Sequence, residues 1–329
     1  MKLSFRACAI AIVAPIAAFA GALSGGLPTA AATCPPPTSD VYAQAVLADA
    51  PAAYYRLDES SGQALCDASG HSVNGTYSGT GITYGQPGAL HPTTDPAIAA
   101  SGSVNPATST GNSGIAGSTD FTLEGWFQTT TKQDQVVVSI GQSGTQNMAG
   151  VGPWSNASGP TGGTGDLITF DTFGGSFKFD VSGLGINVFD GAWHYTVLTF
   201  AAGTGTATAY LDGHNLGTAT VADHPVASPV RVGYWIDTVF NQPFAGGLDE
   251  VAVYPSALTN ARVSAHYAAA LQAAATSPSP TTLPTLPHTG KVPTDPAAGS
   301  VAVVLFVLMA AVGVLAATRA LRAPGRKNS

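Results

Sequence analysis

Charge is scarce in this 329-residue chain: only 9% of its residues are Asp, Glu, Lys or Arg, with 12 cations against 19 acids. Between Thr33 and Thr289 the imbalance widens to 5 Lys and Arg against 18 Asp and Glu. Cations so few and so scattered exclude a nucleic-acid binder, which needs clustered Lys and Arg to release phosphate counterions. The same low charge content excludes a disordered polyelectrolyte. Cysteine is held to three residues with no CxxC spacing and no Cys/His cluster, which argues against thiol redox chemistry and zinc. Glutamate also numbers three, Glu59, Glu124 and Glu250. Glu124 has no second acid near it in its segment to complete the carboxylate pair of a glycosidase. No GxSxG elbow is present, and His194 reads as a packed strand residue, not a general base.

What the chain does have is two apolar ends. Residues 1–32 open with Lys2 and Arg6, run apolar from Ala7 to Leu23 and close on Ala30, Ala31 and Ala32, the plan of a secretory signal peptide cleaved after Ala32. Residues 297–318 carry no charge and, at 1.5 Å per residue, reach roughly 33 Å, enough for a transmembrane helix. A basic tail follows in residues 319–329, so the positive-inside bias leaves it in the cytoplasm and the rest outside. Just upstream, Leu286, Pro287, His288, Thr289 and Gly290 read LPHTG. Pentapeptide, spacer, apolar span and basic end together resemble the LPxTG cell-wall sorting signal of Gram-positive, actinobacterial-like surface proteins. That resemblance implies two partners: a sortase that cuts between Thr289 and Gly290, and the peptidoglycan that receives Thr289. The membrane segment would then serve only as a transient intermediate. Residues 276–285, rich in Pro, Ser and Thr, make an extended wall spacer.

Removal of Cys8 with the signal peptide leaves Cys34 and Cys66, which read as one disulfide in an oxidising compartment. Residues 33–275 show repeated short apolar-polar alternation broken by Gly, Ser, Thr, Asn and Asp. This predicts about nine antiparallel strands, at Ala53–Asp58, Phe121–Thr129, Gln135–Ile140, Leu167–Phe173, Ser176–Val181, Trp193–Phe200, Thr206–Leu211, Val230–Ile236 and Leu248–Tyr254. Two short helices are expected, one capped by Ser39 and Asp40 and ending at Ala48, the other capped by Thr259 and reaching Ala275. In the second, Val263, Tyr267 and Leu271 form the expected packing stripe. The fold class is therefore all-β, a jelly-roll sandwich of two antiparallel sheets with short terminal helices.

Six segments occur in order: DAPAAYYRLDESSG (49–62), CDASGHSVNGTY (66–77), FTLEGWF (121–127), GAWHYTVLTF (191–200), ATAYLDG (207–213) and FAGGLDEVAVYPSALT (244–259). Together they resemble laminin G-like domains, which are concanavalin A-like jelly rolls of bacterial secreted proteins, over about residues 40–270. The ExDxxE strand of jelly-roll glucanases does not occur, so the resemblance implies a non-catalytic domain that binds a glycan or glycoprotein. A glycoside hydrolase and a purely structural wall protein are the alternatives. The resemblance also implies a structural calcium on Asp67 and Asp249, with Asp58 a third ligand. In the other reading Asp67 caps a turn and Asp249 bonds backbone. Trp126 and Trp193 occupy family strand positions and are expected to pack. Trp154 in a Gly-rich loop and Trp235, with Tyr234, Asp237 and Asn241 beside it, are the expected ligand-binding residues.

Overall fold

The computed structural model describes residues 34, 40–90, 95–115, 119–142, 148–155, 167–172, 175–221, 227–235 and 243–272. The signal segment, spacer, LPHTG motif and apolar tail lie outside the described residues, and no described helix is long and apolar enough to cross a membrane.

Two antiparallel sheets stack face to face. The first is built around β7 (Phe121–Gln128) and β16 (Ala245–Tyr254). On one side of this pair lie β12 (Trp193–Ala201), β13 (Thr206–Leu211) and β14 (His214–Thr220); on the other lie β5 (Pro96–Ser101) and β4 (Ile82–Pro87), with β1 (Ala53–Tyr55) also paired to β16. The second sheet runs in the order β11 (Gly175–Asp180), β10 (Leu167–Thr172), β9 (Met148–Trp154), β8 (Val138–Gly141), β15 (Pro229–Val232), β6 (Ala107–Asn112), β3 (Gly75–Tyr77) and β2 (Ala64–Leu65). This is the expected sandwich, consistent with a jelly roll. Sixteen strands form among the described residues instead of about nine. The additional ones are short or rich in Ala, Ser, Thr and Gly, as in ATSTGN of β6, and carry too little apolar contrast for alternation to reveal them.

Phe121, Leu123 and Phe127 of β7 face the second sheet and join Leu198, Phe200, Val251 and Val253 in the inter-sheet core. The opposite face of β7 is buried as well, because two helices cover it. Helix α1 (Val41–Ala48) is N-capped by Asp40, whose carboxylate accepts from the Ala43 N–H at 2.6 Å. Helix α2 (Asn260–Leu271) is N-capped by Thr259. They lay Tyr42, Val46 and Val263 on Trp126, Tyr195 and Tyr254. The expected stripe on α2 needs one correction: Leu271 is 51% exposed and His266 is fully buried in its stead. A repeat of strictly four residues advances about 40° per step round the helix, so Leu271 has rotated out of the contact. Tyr267, between them, stacks half-buried on Trp126 and Tyr195.

Glu124, at the centre of that covered face, accepts hydrogen bonds from the hydroxyls of Tyr195 and Tyr254, both at 2.6 Å, and meets His266 Nδ1 at 3.0 Å. His266 Nε2 in turn reaches the Asp49 carboxylate of the α1 terminus at 2.9 Å, and Arg262 Nε bonds Asp49 at 2.8 Å. The acids decide the imidazole's charge. Burial alone would lower its pKa, but Glu124 and Asp49 outweigh that and raise it above the ordinary 6.5. The expected disulfide joins Cys34 to Cys66 with Cα atoms 5.2 Å apart, tying the strand of chain before α1 to the sheet.

Because the folded His266 pKa lies above the unfolded one, its contribution is complete below pH 6.5 and is lost as pH rises through the folded value. Stability measured by urea unfolding should therefore fall from about pH 6.5 upward, and His266→Gln should flatten that fall. Parallel profiles for the two proteins would show that the imidazole does not couple helix to sheet.

Candidate functional site

The outer face of the first sheet carries two linked features beside the helices, a cluster of carboxylates and an open cleft. Both depend on an irregularity in β16. Pairing with β7 shifts between Asp249 and Ala252, and Glu250 sits at φ +51 in the left-handed region. A regular strand would send Asp249 and Glu250 to opposite faces. The bulge turns both toward the outer side and returns Val251 to the inter-sheet core.

There Asp95, Asp249 and Glu250 each bring a carboxylate oxygen within 4.8 Å of the others. Asp249 Oδ2 accepts from the Ala89 N–H at 2.8 Å, while Oδ1 is buried with no partner. Glu250 takes the Tyr54 hydroxyl and Arg56. Arg56 also pairs with Asp95, with Asp40 at 3.0 Å and with Asp58 at 3.8 Å, so one guanidinium serves a ring of acids. Burial, and then the neighbouring acids, raise the pKa values of Asp249 and Glu250 well above the carboxylate range. Asp95 is pushed up to about 6, by burial and by Asp40 and Asp58 against the pull of Arg56. Carboxylates this crowded hold protons or a cation, and an oxygen-only set with one orphaned buried atom fits a hard ion such as calcium.

Of the three expected calcium ligands, Asp249 stands in this cluster and Asp58 borders it through Arg56. Asp67 does not join them. Its two oxygens accept from the Tyr54, Ser69 and Val73 N–H groups at 3.0, 2.9 and 2.8 Å and from the Ser69 hydroxyl at 2.8 Å. It is the keystone of a turn, with its lone pairs engaged. Sequence reading missed Asp95 and the clustering of Glu250. The one signal pointing to them was Arg56 itself, a lone cation inside an apolar strand motif that requires buried acids nearby.

The cleft, of about 590 Å³, opens on the same face, next to the cluster. The β12, β7 and β16 registers place Trp193, Gln128 and Gly247 side by side, and Asp249 lies two residues on from Gly247. The Trp193 ring rests on Gly247, where a Cβ would come within 2.8 Å of the ring edge. Gln86 and Pro87 form the far wall; the next residues, Gly88 and Ala89, are held by the Asp95 carbonyl and the Asp249 carboxylate. Ser101, Thr129 and Thr131 complete a rim of hydroxyls. Among the described residues, no acid, histidine or cysteine lines it.

The expected ligand-binding residues are placed otherwise. After β15 the chain turns at Gly233 and folds back over the outer face of the second sheet. Tyr234 there bonds Thr108, and the Trp235 ring covers Gly150, where a Cβ would come within 2.4 Å of it. Both side chains are buried, at 6% and 3% exposure, so Trp235 packs, whereas Trp193 is partly buried against the helix-covered cluster and borders the cleft. Trp154 is half-buried at the end of β9, with the Lys178 ammonium 3.9 Å over its ring. Asp237 and Asn241 lie outside the described residues. His194 is buried between Asp212 at 2.8 Å and Asp190 at 3.3 Å, on the inward side of β12.

Residues 101–264 match the model of a family described as the concanavalin A-like lectin/glucanases superfamily. The strands before residue 101 belong to the same sandwich, since β1 and β5 both pair with β16. Among solved structures, the chain is similar to domain 4 of AbnA, an extracellular GH43 arabinanase from Geobacillus stearothermophilus in complex with arabinotriose. That likeness has 15% identity, covers 66% of this chain and 98% of that one, and has a TM-score of 0.47. It is similar also to the binding domain of Paraclostridial Mosquitocidal Protein 1, at 13% identity, 67% and 52% coverage and TM-score 0.49. A third is the Ruminococcus gnavus IT-sialidase CBM40 bound to α2,6 sialyllactose, at 15% identity, 45% and 83% coverage and TM-score 0.36. No curated protein matches.

Proposed function

We propose that this protein is a cell-wall-displayed carbohydrate-binding protein that holds a glycan or glycoprotein in the cleft beside Trp193 and does not turn it over. The observation that carries the reading is the cleft's composition: a partly buried tryptophan ring beside amide and hydroxyl side chains. A pyranose presents an apolar C–H face and a ring of hydroxyls, which match an aromatic plane and a polar rim. A superfamily of lectins and glucanases admits both binding and hydrolysis. Hydrolysis needs a general acid and a base or nucleophile at the bond to be cut, and a lining without carboxylate or imidazole supports binding instead. Substituting Trp193→Ala should weaken glycan binding at least about tenfold with the domain still folded. Isothermal titration against a glycan chosen from an array measures this, and unchanged affinity would remove the cleft from the account.

Calcium is part of the proposal, held by Asp249 with Asp95 and Glu250, and its role is structural. The ion would replace protons on these acids and brace the Gly88–Ala89 turn that backs the cleft wall. Calcium at a hundredfold excess over its Kd should raise the melting temperature by about 5–10 °C in wild type. Asp249→Asn should lose that rise and Asp67→Asn keep it, at a lower melting temperature. A calcium response unaffected by Asp249→Asn would place the ion elsewhere.

Display at the wall rests on the order of LPHTG, apolar segment and basic end. Many copies on one surface would turn weak single-site binding into avidity. Mass spectrometry of wall digests should find peptides ending at Thr289 joined to muropeptide, whereas recovery of the intact apolar tail in the membrane would refute sorting.

A further inference from the structure

We infer that His194 is a positioning residue for the cleft: its protonated ring clamps the turn 187–192, so the cleft holds its ligand more firmly in mildly acidic than in mildly alkaline solution. The inference rests on the glycan-binding reading above. Both ring nitrogens face carboxylates, Nδ1 the Asp212 Oδ2 at 2.8 Å and Nε2 the Asp190 Oδ1 at 3.3 Å. An ionised carboxylate only accepts, so the imidazolium, with a proton on each nitrogen, is the form that satisfies both. Asp212 belongs to the tight turn between β13 and β14, at φ +49 ahead of Gly213 at φ +77, and its other oxygen accepts from the Tyr195 N–H at 2.8 Å. Asp190 belongs to the turn that enters β12, and the oxygen it shows the ring also accepts from the Ala192 N–H at 2.6 Å. Phe127 of β7, its ring centroid 5.7 Å away, brings no charge.

That turn is part of the cleft. Between Asp190 and Ala192 stands Gly191, at φ +83, whose N–H donates to the Thr129 carbonyl at 3.2 Å and whose carbonyl accepts from Gln128 Nε2 at 2.8 Å. Gly191, Gln128, Thr129 and Trp193 all line the cleft, and Trp193 follows Ala192 directly. Burial opposes the charge on His194, but Asp212 and then Asp190 outweigh it and raise its pKa above the ordinary 6.5. The clamp is therefore complete below pH 6.5 and is lost as pH rises through the folded value. The proton that stays is the one on Nδ1, where the bond to Asp212 is shorter and that carboxylate is only 13% exposed. Nε2 then turns a lone pair toward Asp190, whose side chain is 43% exposed and open to water. As Asp190 swings out, the Ala192 N–H loses its acceptor and the wall beside Trp193 loosens.

The test follows the Gly191 and Ala192 amides of the purified protein by NMR-detected hydrogen exchange, alongside titration of the His194 ring, from about pH 6 to about pH 9. Protection of the two amides, corrected for the intrinsic pH dependence of exchange, should fall by about 3- to 10-fold as the ring loses its proton. The Tyr195 amide, held by Asp212, should keep its protection, whereas a general loss of stability would move all three. Affinity for a neutral oligosaccharide, which has no charge of its own to titrate, should fall by a similar factor over the same range. Asp190→Asn removes the carboxylate from the pair at an exposed side chain and should flatten both profiles. Amide protection that ignores the ring's titration, or an Asp190→Asn profile as steep as wild type, would overturn the inference. Wild-type affinity independent of pH would overturn it too and leave the glycan-binding reading standing. Failure of every glycan to bind at any pH would overturn that reading, and the inference with it.

Discussion

Burial of β7 and β16 on both faces is the constraint on which the rest of this structure depends. A strand in a two-layer sandwich ordinarily has one wet face, where a charged residue costs nothing. Here α1 and α2 close that face, and a charged group beneath them must find partners within the protein. Glu124 does so through two tyrosines and a histidine drawn from three elements, which ties α2 to the sheet by polar as well as apolar contacts. The helices are thereby held in register with the strands, not merely pressed upon them.

Where helical cover ends, the same face changes character. Asp249 and Glu250 are brought to it by a bulge, and Arg56 with Asp95 meets them from the other side of the strand pair. Asp249 also reaches out to the chain between β4 and β5, holding the Ala89 N–H. The cleft's wall at Gln86 and Pro87 is thus anchored through a buried carboxylate, while its floor at Gly247 lies on the strand that carries that carboxylate. Protonation or ion binding at Asp249 and the shape of the cleft are connected by a few covalent bonds and one hydrogen bond.

The fold class was legible because β7, β12, β13 and β16 have strong alternation, and both N-caps were legible because Asp40 and Thr259 precede apolar runs. β4, β5 and β6 were not, since Ala, Thr, Gly and Pro give no contrast between faces and only pairing with neighbouring strands defines them. The burial of Trp235 was hidden for a related reason. It stands among polar residues in sequence yet packs on the bare Gly150, a contact across tens of residues that is invisible without the pairing. Asp67 shows the same limit from the other direction: an acid in a Gly- and Ser-rich loop looks like an ion ligand until its four donors are seen.

The position of β16 has a mechanical consequence. Its first residues floor the cleft, and its last lead within six residues into α2. A pull between an object seated in the cleft and that helix would therefore run along this single strand. Neighbours β7, β5 and β1 grip it from both flanks with hydrogen bonds perpendicular to that line, so the load falls on many bonds in shear at once and none is peeled singly. Tension along that line is carried by a strand paired on both sides, and the second sheet lies outside its path.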